Sequence, residues 1–217
     1  DVMNTQREVI YGQRQKVLDG EELKENMMTM LQSVVSSNVT TALADFAGIV
    51  DEESIAAAVR TFEGIYFPKG SLKIEGISDA AGLTEAIFNK CAATYEAKEA
   101  EYGSPIMREL ERVVMLRVVD EYWMDHIDAM EDLKQGVRLQ SWGNNNPVDV
   151  YKRESLNMFD EMIASIREET VRKVLSVMPK PGHQMQRVEV VRVTGESSAS
   201  SPQKPAAEVR RVPVKAA

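Results

Sequence analysis

The densest group of chemically capable side chains is Asp120, Glu121, Asp125, His126 and Asp128. Carboxylates beside an imidazole can ligate a metal or move protons if their spacing turns them toward one point. Here it does not. A helical di-metal site places glutamate three residues before its histidine, and that position holds Trp123. Asp125 and His126 are sequence neighbours and diverge on a helix. The group is read as a solvated or ion-paired helix face. The other histidine, His183, lies far along the chain, and no Ser/His/Asp or Cys/His set is suggested nearby. Cys91 is the sole cysteine, which excludes an intrachain disulfide and a multi-cysteine zinc site and suits a reducing compartment. No Gly-x-x-x-x-Gly-Lys-Ser/Thr run occurs, so the usual cradle for nucleotide phosphates is missing. No catalytic residue, metal or cofactor is expected in this chain.

Non-covalent chemistry has a better candidate. Trp142 sits in a short polar loop with Ser141, Gly143, Asn144, Asn145 and Asn146. An exposed indole there would grip an unfolded chain of any sequence through apolar area, and the asparagines would keep the tip soluble and meet exposed backbone. The sequence equally allows a tryptophan folded back onto its own helices. Lys134, Arg138, Lys152 and Arg153 flank the loop. They read as solvated helix ends or as contacts for an acidic or carbonyl-rich surface. Trp123, in contrast, is expected in the core.

Two helices must carry that loop. Ser104-Pro105 is a start signal, serine as N-cap and proline at the first helical position. Ile106, Leu110, Val113, Val114, Val118, Tyr122, Ile127, Met130 and Leu133 follow at mostly three- and four-residue steps. Asn146-Pro147 repeats the signal, with Asp149 at the positive end of the helix dipole. Leu156, Phe159, Ile163, Ile166, Val174 and Val177 form a second stripe, and Pro179 stops it. The short link makes the pair antiparallel. Four shorter helices are expected before it. The first, over 1–18, has Val2, Gln6, Val9, Ile10, Gln13 and Val17 inward, ends at Asp19-Gly20, and is short enough to need a partner such as the hairpin. The second, over 21–43, turns Met27, Met30, Leu31, Val34, Val35 and Val39 inward, its methionines read as core filler rather than an adaptable binding surface. The third spans 51–66 and the fourth 83–102, with Ile87, Cys91, Thr94 and Tyr95 on one side and Leu72 to Asp79 left as loop.

The totals agree with a helical globular protein. The 217 residues are 43% hydrophobic and 28% charged, which separates them from disordered chains. A net charge of −8 argues against nucleic acid as the primary partner. No apolar run is long enough to cross a bilayer and no secretory signal opens the chain. It starts in helical sequence without an initiator methionine, which suggests a piece of something longer. After Pro179, Val188 to Thr194 alternates like an edge strand that could add to a sheet elsewhere. Residues 195–217 are basic and rich in Ser, Pro and Ala, read as a disordered tail.

Three stretches carry a resemblance. Val114-Met-Leu-Arg-Val-Val-Asp-Glu-Tyr-Trp-Met-Asp-His-Ile127, continuing to Leu139, is similar to the start of the two-helix finger of the SecA family, bacterial preprotein-translocation motors. Tyr151-Lys-Arg-Glu-Ser-Leu-Asn-Met-Phe-Asp-Glu-Met-Ile163 resembles its return helix, and Asp1-Val-Met-Asn-Thr-Gln-Arg-Glu-Val-Ile-Tyr11 the end of the long scaffold helix. The resemblance implies an all-α chain: scaffold-helix end over 1–18, helical wing over 19–103, two-helix finger over 104–179, and a linker over 180–217. It implies contact with unfolded preproteins, a SecY-type channel and the motor domains of the same protein, with a homodimer as a further arrangement. ATP and Mg would be held by motor domains outside this chain, and the location would be the cytoplasm, peripheral to the inner face of the plasma membrane. The family places a bulky residue, often tyrosine, at the fingertip, which favours the grip reading for Trp142. The linker would compete with substrate through its strand, and the zinc-binding cysteines that follow it in the family do not occur here. The rivals are a free-standing helical adaptor, which would fold and start naturally near residue 1, and a metal-dependent helical enzyme, which would hold stoichiometric metal.

Overall fold

The computed structural model describes residues 2–20, 22–74, 76–139 and 146–178, excluding the side chains of 138 and 139. The strand expected over Val188 to Thr194 and the disordered tail lie outside them. Six helices follow in order: α1 (Val2–Asp19), α2 (Leu23–Ala44), α3 (Glu52–Phe62), α4 (Ala80–Tyr102), α5 (Ser104–Leu139) and α6 (Pro147–Ser176). The described residues form no sheet, and none of their helices is long and apolar enough to cross a membrane.

The α5–α6 hairpin is the spine. Its 36-residue first arm is about 54 Å long at 1.5 Å per residue. Its two arms pack against each other, and Lys173 near the end of α6 lies 3.6 Å from Glu121 at mid-α5. The return helix starts where expected: the Asn146 side chain accepts from the Val148 N–H, Pro147 follows and Asp149 lies in the first turn. The other start differs. Met107 donates to the Gly103 carbonyl, so Gly103 rather than Ser104 is the N-cap of α5, and the same glycine terminates α4 through its own N–H to Glu99. At φ 85° and ψ 148°, Gly103 occupies backbone space that a Cβ disfavours. One residue therefore turns the chain between two helices.

Other boundaries move for local reasons. The third helix stops at Phe62 instead of reaching Tyr66, because Gly64 takes a positive φ and its N–H pairs with the Phe67 carbonyl. Tyr66 and Phe67 are buried as a tight turn rather than as helix. The fourth begins at Ala80, three residues early, because Asp79 accepts from the Gly82 N–H as N-cap. The second begins at Leu23. Asp51 and Ser54 cap α3 reciprocally, each side chain accepting from the other's N–H at 2.9 Å.

The core runs between the hairpin and the shorter helices. Leu31, Val35 and Val39 of α2, Phe62 of α3 and Leu83, Ile87, Cys91 and Tyr95 of α4 are buried with Met107, Met115 and Val118 of α5 and Val171 and Val174 of α6. Met27 joins them, and Met30 is half-buried. Trp123 lies in this core, as expected. Burial pushes the Cys91 thiol up to about 12, leaving it inert at neutral pH. Several stripe residues do not belong to the core. Ile106, Val113, Leu156 and Val177 are exposed, as is Val9 of α1, while Met107, Glu111, Met115 and His126 are buried. Because α5 meets α1, α2, α4 and α6 along its length, its buried face turns around the axis instead of keeping one line.

Candidate functional site

Two buried polar junctions hold the hairpin. The first joins it to α1. The Gln6 amide donates to the Ser155 carbonyl at 3.0 Å, and its oxygen lies 3.0 Å from Nε2 of His126. Gln6 and His126 are each 5% exposed, so one side chain of α1 binds both arms away from water. Trp123 and Phe159 close around the imidazole, with ring centroids 5.7 and 5.8 Å away. Burial lowers the His126 pKa and favours the neutral ring, and because the Gln6 side-chain oxygen can only accept, Nε2 is the nitrogen that carries the hydrogen. Arg14 adds an exposed pair to Asp120 at 3.1 Å.

The second junction joins α4 to the base of the hairpin. Lys98, 8% exposed, donates to the carbonyls of Val174, Leu175 and Val177 at the end of α6. These oxygens have no helical partner and carry the negative end of the helix dipole, so an ammonium suits them. Burial pulls the Lys98 pKa down to about 8, which still leaves the side chain mostly charged at neutral pH. Beside it, Tyr95 donates to Glu111, and Arg108 bridges Tyr95, Glu99 (2.9 Å) and Glu111 (3.1 Å). Lys24 of α2 completes the set on Glu99 at 2.7 Å. Burial raises the Glu111 pKa, opposed by Tyr95 and Arg108.

The hairpin extends past the first junction. Met130 and Val137 are buried but stand outside the continuous core. From His126 to the end of α5 the arm is about 20 Å long.

The residues expected to act fall into three groups. Trp142, Ser141, Gly143, Asn144 and Asn145 lie outside the described residues, as does the side chain of Arg138, whose backbone is in α5. Lys134 is exposed and 3.6 Å from Glu131, and Arg153 is 3.1 Å from its neighbour Glu154. Lys152 is exposed without an ion-pair partner among the described residues. The 120–128 cluster separates: Asp120 pairs with Arg14 and Glu121 with Lys173, while Asp125 and Asp128 face solvent. His126 departs from the solvated face expected for it and turns into the core, because the residues that receive it, Gln6 and Phe159, come from other helices. Among the described residues no group of three His, Cys, Asp or Glu side chains could hold a metal ion. The junction residues Gln6, Lys98 and Glu111 were not singled out as a site. Gln6 on an apolar stripe was the one signal available.

An all-α scaffold segment with a clamped two-helix arm is thus the class of structure that this sequence builds. A family model described as the SecA Wing and Scaffold domain matches residues 1–178. The chain is 41% identical over 98% of its length to the protein translocase subunit SecA of Acetivibrio thermocellus, covering 24% of that protein. It is 40% identical to that of Clostridium acetobutylicum over 87% of the chain and 22% of the relative, and 39% identical to that of Clostridium perfringens over 99% and 25%. The chain belongs to the SecA family, as the finger and scaffold motifs implied. It spans about a quarter of the length of these relatives.

Proposed function

We propose that this chain is the substrate-contacting and force-transmitting part of a motor that drives unfolded preproteins through a SecY-type channel. In this reading 1–18 end a scaffold helix, 19–103 form a helical wing, 104–179 form the two-helix finger and 180–217 a linker. ATP and Mg act in motor domains outside this chain, on the cytoplasmic side of the membrane. Trp142, flanked by Ser141, Gly143, Asn144 and Asn145, grips the preprotein, and Lys134, Arg138, Lys152 and Arg153 meet the channel mouth. The observation that carries the reading is the asymmetry of the hairpin. Its base is held by Lys98 and the Tyr95–Glu111–Arg108 group and its middle by Gln6, while Met130 and Val137 farther along α5 are buried outside the continuous core. Paired helices resist bending better than a loop, so displacement at the junctions reaches the tip.

The test is site-specific crosslinking from position 142, in the chain joined to its motor domains with a stalled preprotein and channel. Crosslinks to preprotein that vanish when the probe moves from the tip to exposed Glu161 are expected. A probe at 142 that meets neither preprotein nor channel would leave a scaffold or adaptor role in place of the finger.

A further inference from the structure

A cleft of about 280 Å³ opens where α1, α2, α5 and α6 meet. Its floor is apolar, with Met30, Met115 and Ile166 from three different helices. Its ionisable lining is wholly cationic, Arg14, Lys16 and Arg167, in a chain whose net charge is −8. Arg14 is shared with Asp120, but Lys16 and Arg167 are exposed and have no ion-pair partner among the described residues. One further group points to a ligand. Thr170 is 0% exposed, lines the cleft, and its hydroxyl has no hydrogen-bond partner. A buried hydroxyl without a partner is costly, whereas one facing an acceptor is not. Arg167 and Thr170 stand three residues apart on one face of α6, so a single anionic group can meet both.

We propose that this cleft is a binding site for a small amphiphilic anion, a carboxylate head on an unbranched apolar chain. The head accepts from Thr170 and Arg167 with Lys16 nearby, and the chain lies on Met30, Met115 and Ile166. The volume is just below the usual range for small-molecule sites, which suits one short acyl chain and not a folded partner. Occupation would join α1 and α2 to the hairpin through one ligand, whatever the tip of the hairpin contacts.

Decanoate, kept below its micelle-forming concentration, is the probe, and the methionine methyl resonances of the 217-residue chain are the readout. Saturable shifts of the Met30 and Met115 methyls are expected. Arg167→Gln and Lys16→Gln, both exposed positions, should each weaken binding by about fivefold, the size of a partly shielded charge contact. Decyltrimethylammonium, with the same chain and opposite charge, and inorganic phosphate, with no chain, should leave those methyls unmoved. Shifts that do not saturate, an equal response to the cationic analogue, or unchanged affinity in both variants would overturn the site. A response to phosphatidylglycerol vesicles in place of decanoate would overturn the assignment to a free amphiphile.

Discussion

Lys98 of α4 closes the C-terminus of α6 by donating to the carbonyl of Val174, 76 residues further along the chain. The ammonium has three N–H donors and three carbonyls receive them, those of Val174, Leu175 and Val177. A helix end inside a protein needs such partners, since each buried orphan carbonyl costs free energy. This contact therefore decides where the return arm of the hairpin is anchored.

Replacing Lys98 by methionine keeps the apolar stem and removes the donors. We expect a loss of about 2 kcal/mol, seen as a lower urea midpoint at unchanged slope. Hydrogen exchange should accelerate first at the end of α6, because that is where the carbonyls lose their cap. A variant as stable as the parent would remove Lys98 from the clamp.

The α1 junction makes stability depend on pH. His126 has a lowered pKa in the folded chain through burial, so on acidification the unfolded chain takes up a proton at about 6.5, before the folded one does. Stability contributed by the neutral ring is present above that value and is lost as the pH falls through it. Chemical denaturation between about pH 7.5 and 5.5 should show this slope, and His126→Gln should flatten it. An unchanged slope in the variant would assign the dependence to other groups.

Removing the two ends of the Arg108–Glu111 pair should have unequal effects. Glu111→Gln keeps the shape and the Tyr95 contact while deleting a buried charge, so a change below about 1 kcal/mol is expected. Arg108→Met leaves the fully buried Glu111 carboxylate without its cation and should cost about 3 kcal/mol. Denaturation midpoints of the two variants, measured side by side, give the comparison. Equal losses would mean that the charge on Glu111 is not what Arg108 offsets.

Gly103→Ala tests the one-residue link between α4 and α5. A Cβ there meets nothing closer than Pro105 Cδ at 3.9 Å, so crowding is not the issue. The cost is the positive φ, about 1–3 kcal/mol. Thermal unfolding should show it as a lower midpoint, and a neutral substitution would mean that the link relaxes to another backbone conformation.

The helices and the hairpin were legible because they depend on local physics. Periodic apolar residues, the Asn146-Pro147 start, the Asp19-Gly20 stop and the short connecting loop each act within a few residues, and the run around Trp123 carried the family. What the sequence alone could not decide was the direction in which each face of α5 points. Ile106 and Val113 fit a helical stripe as well as Met107 and Glu111 do, and only the approach of α4 and α6 chose between them. His126 read as part of a charged face because its partner, Gln6, lies 120 residues earlier. Gln6 meets Ser155 across 149 residues, and Lys98 meets α6 across 76. A buried polar group is tolerated only when a partner is supplied, and at such separations tertiary packing alone supplies it. The same holds for the cleft, whose lining comes from four helices that share no sequence pattern.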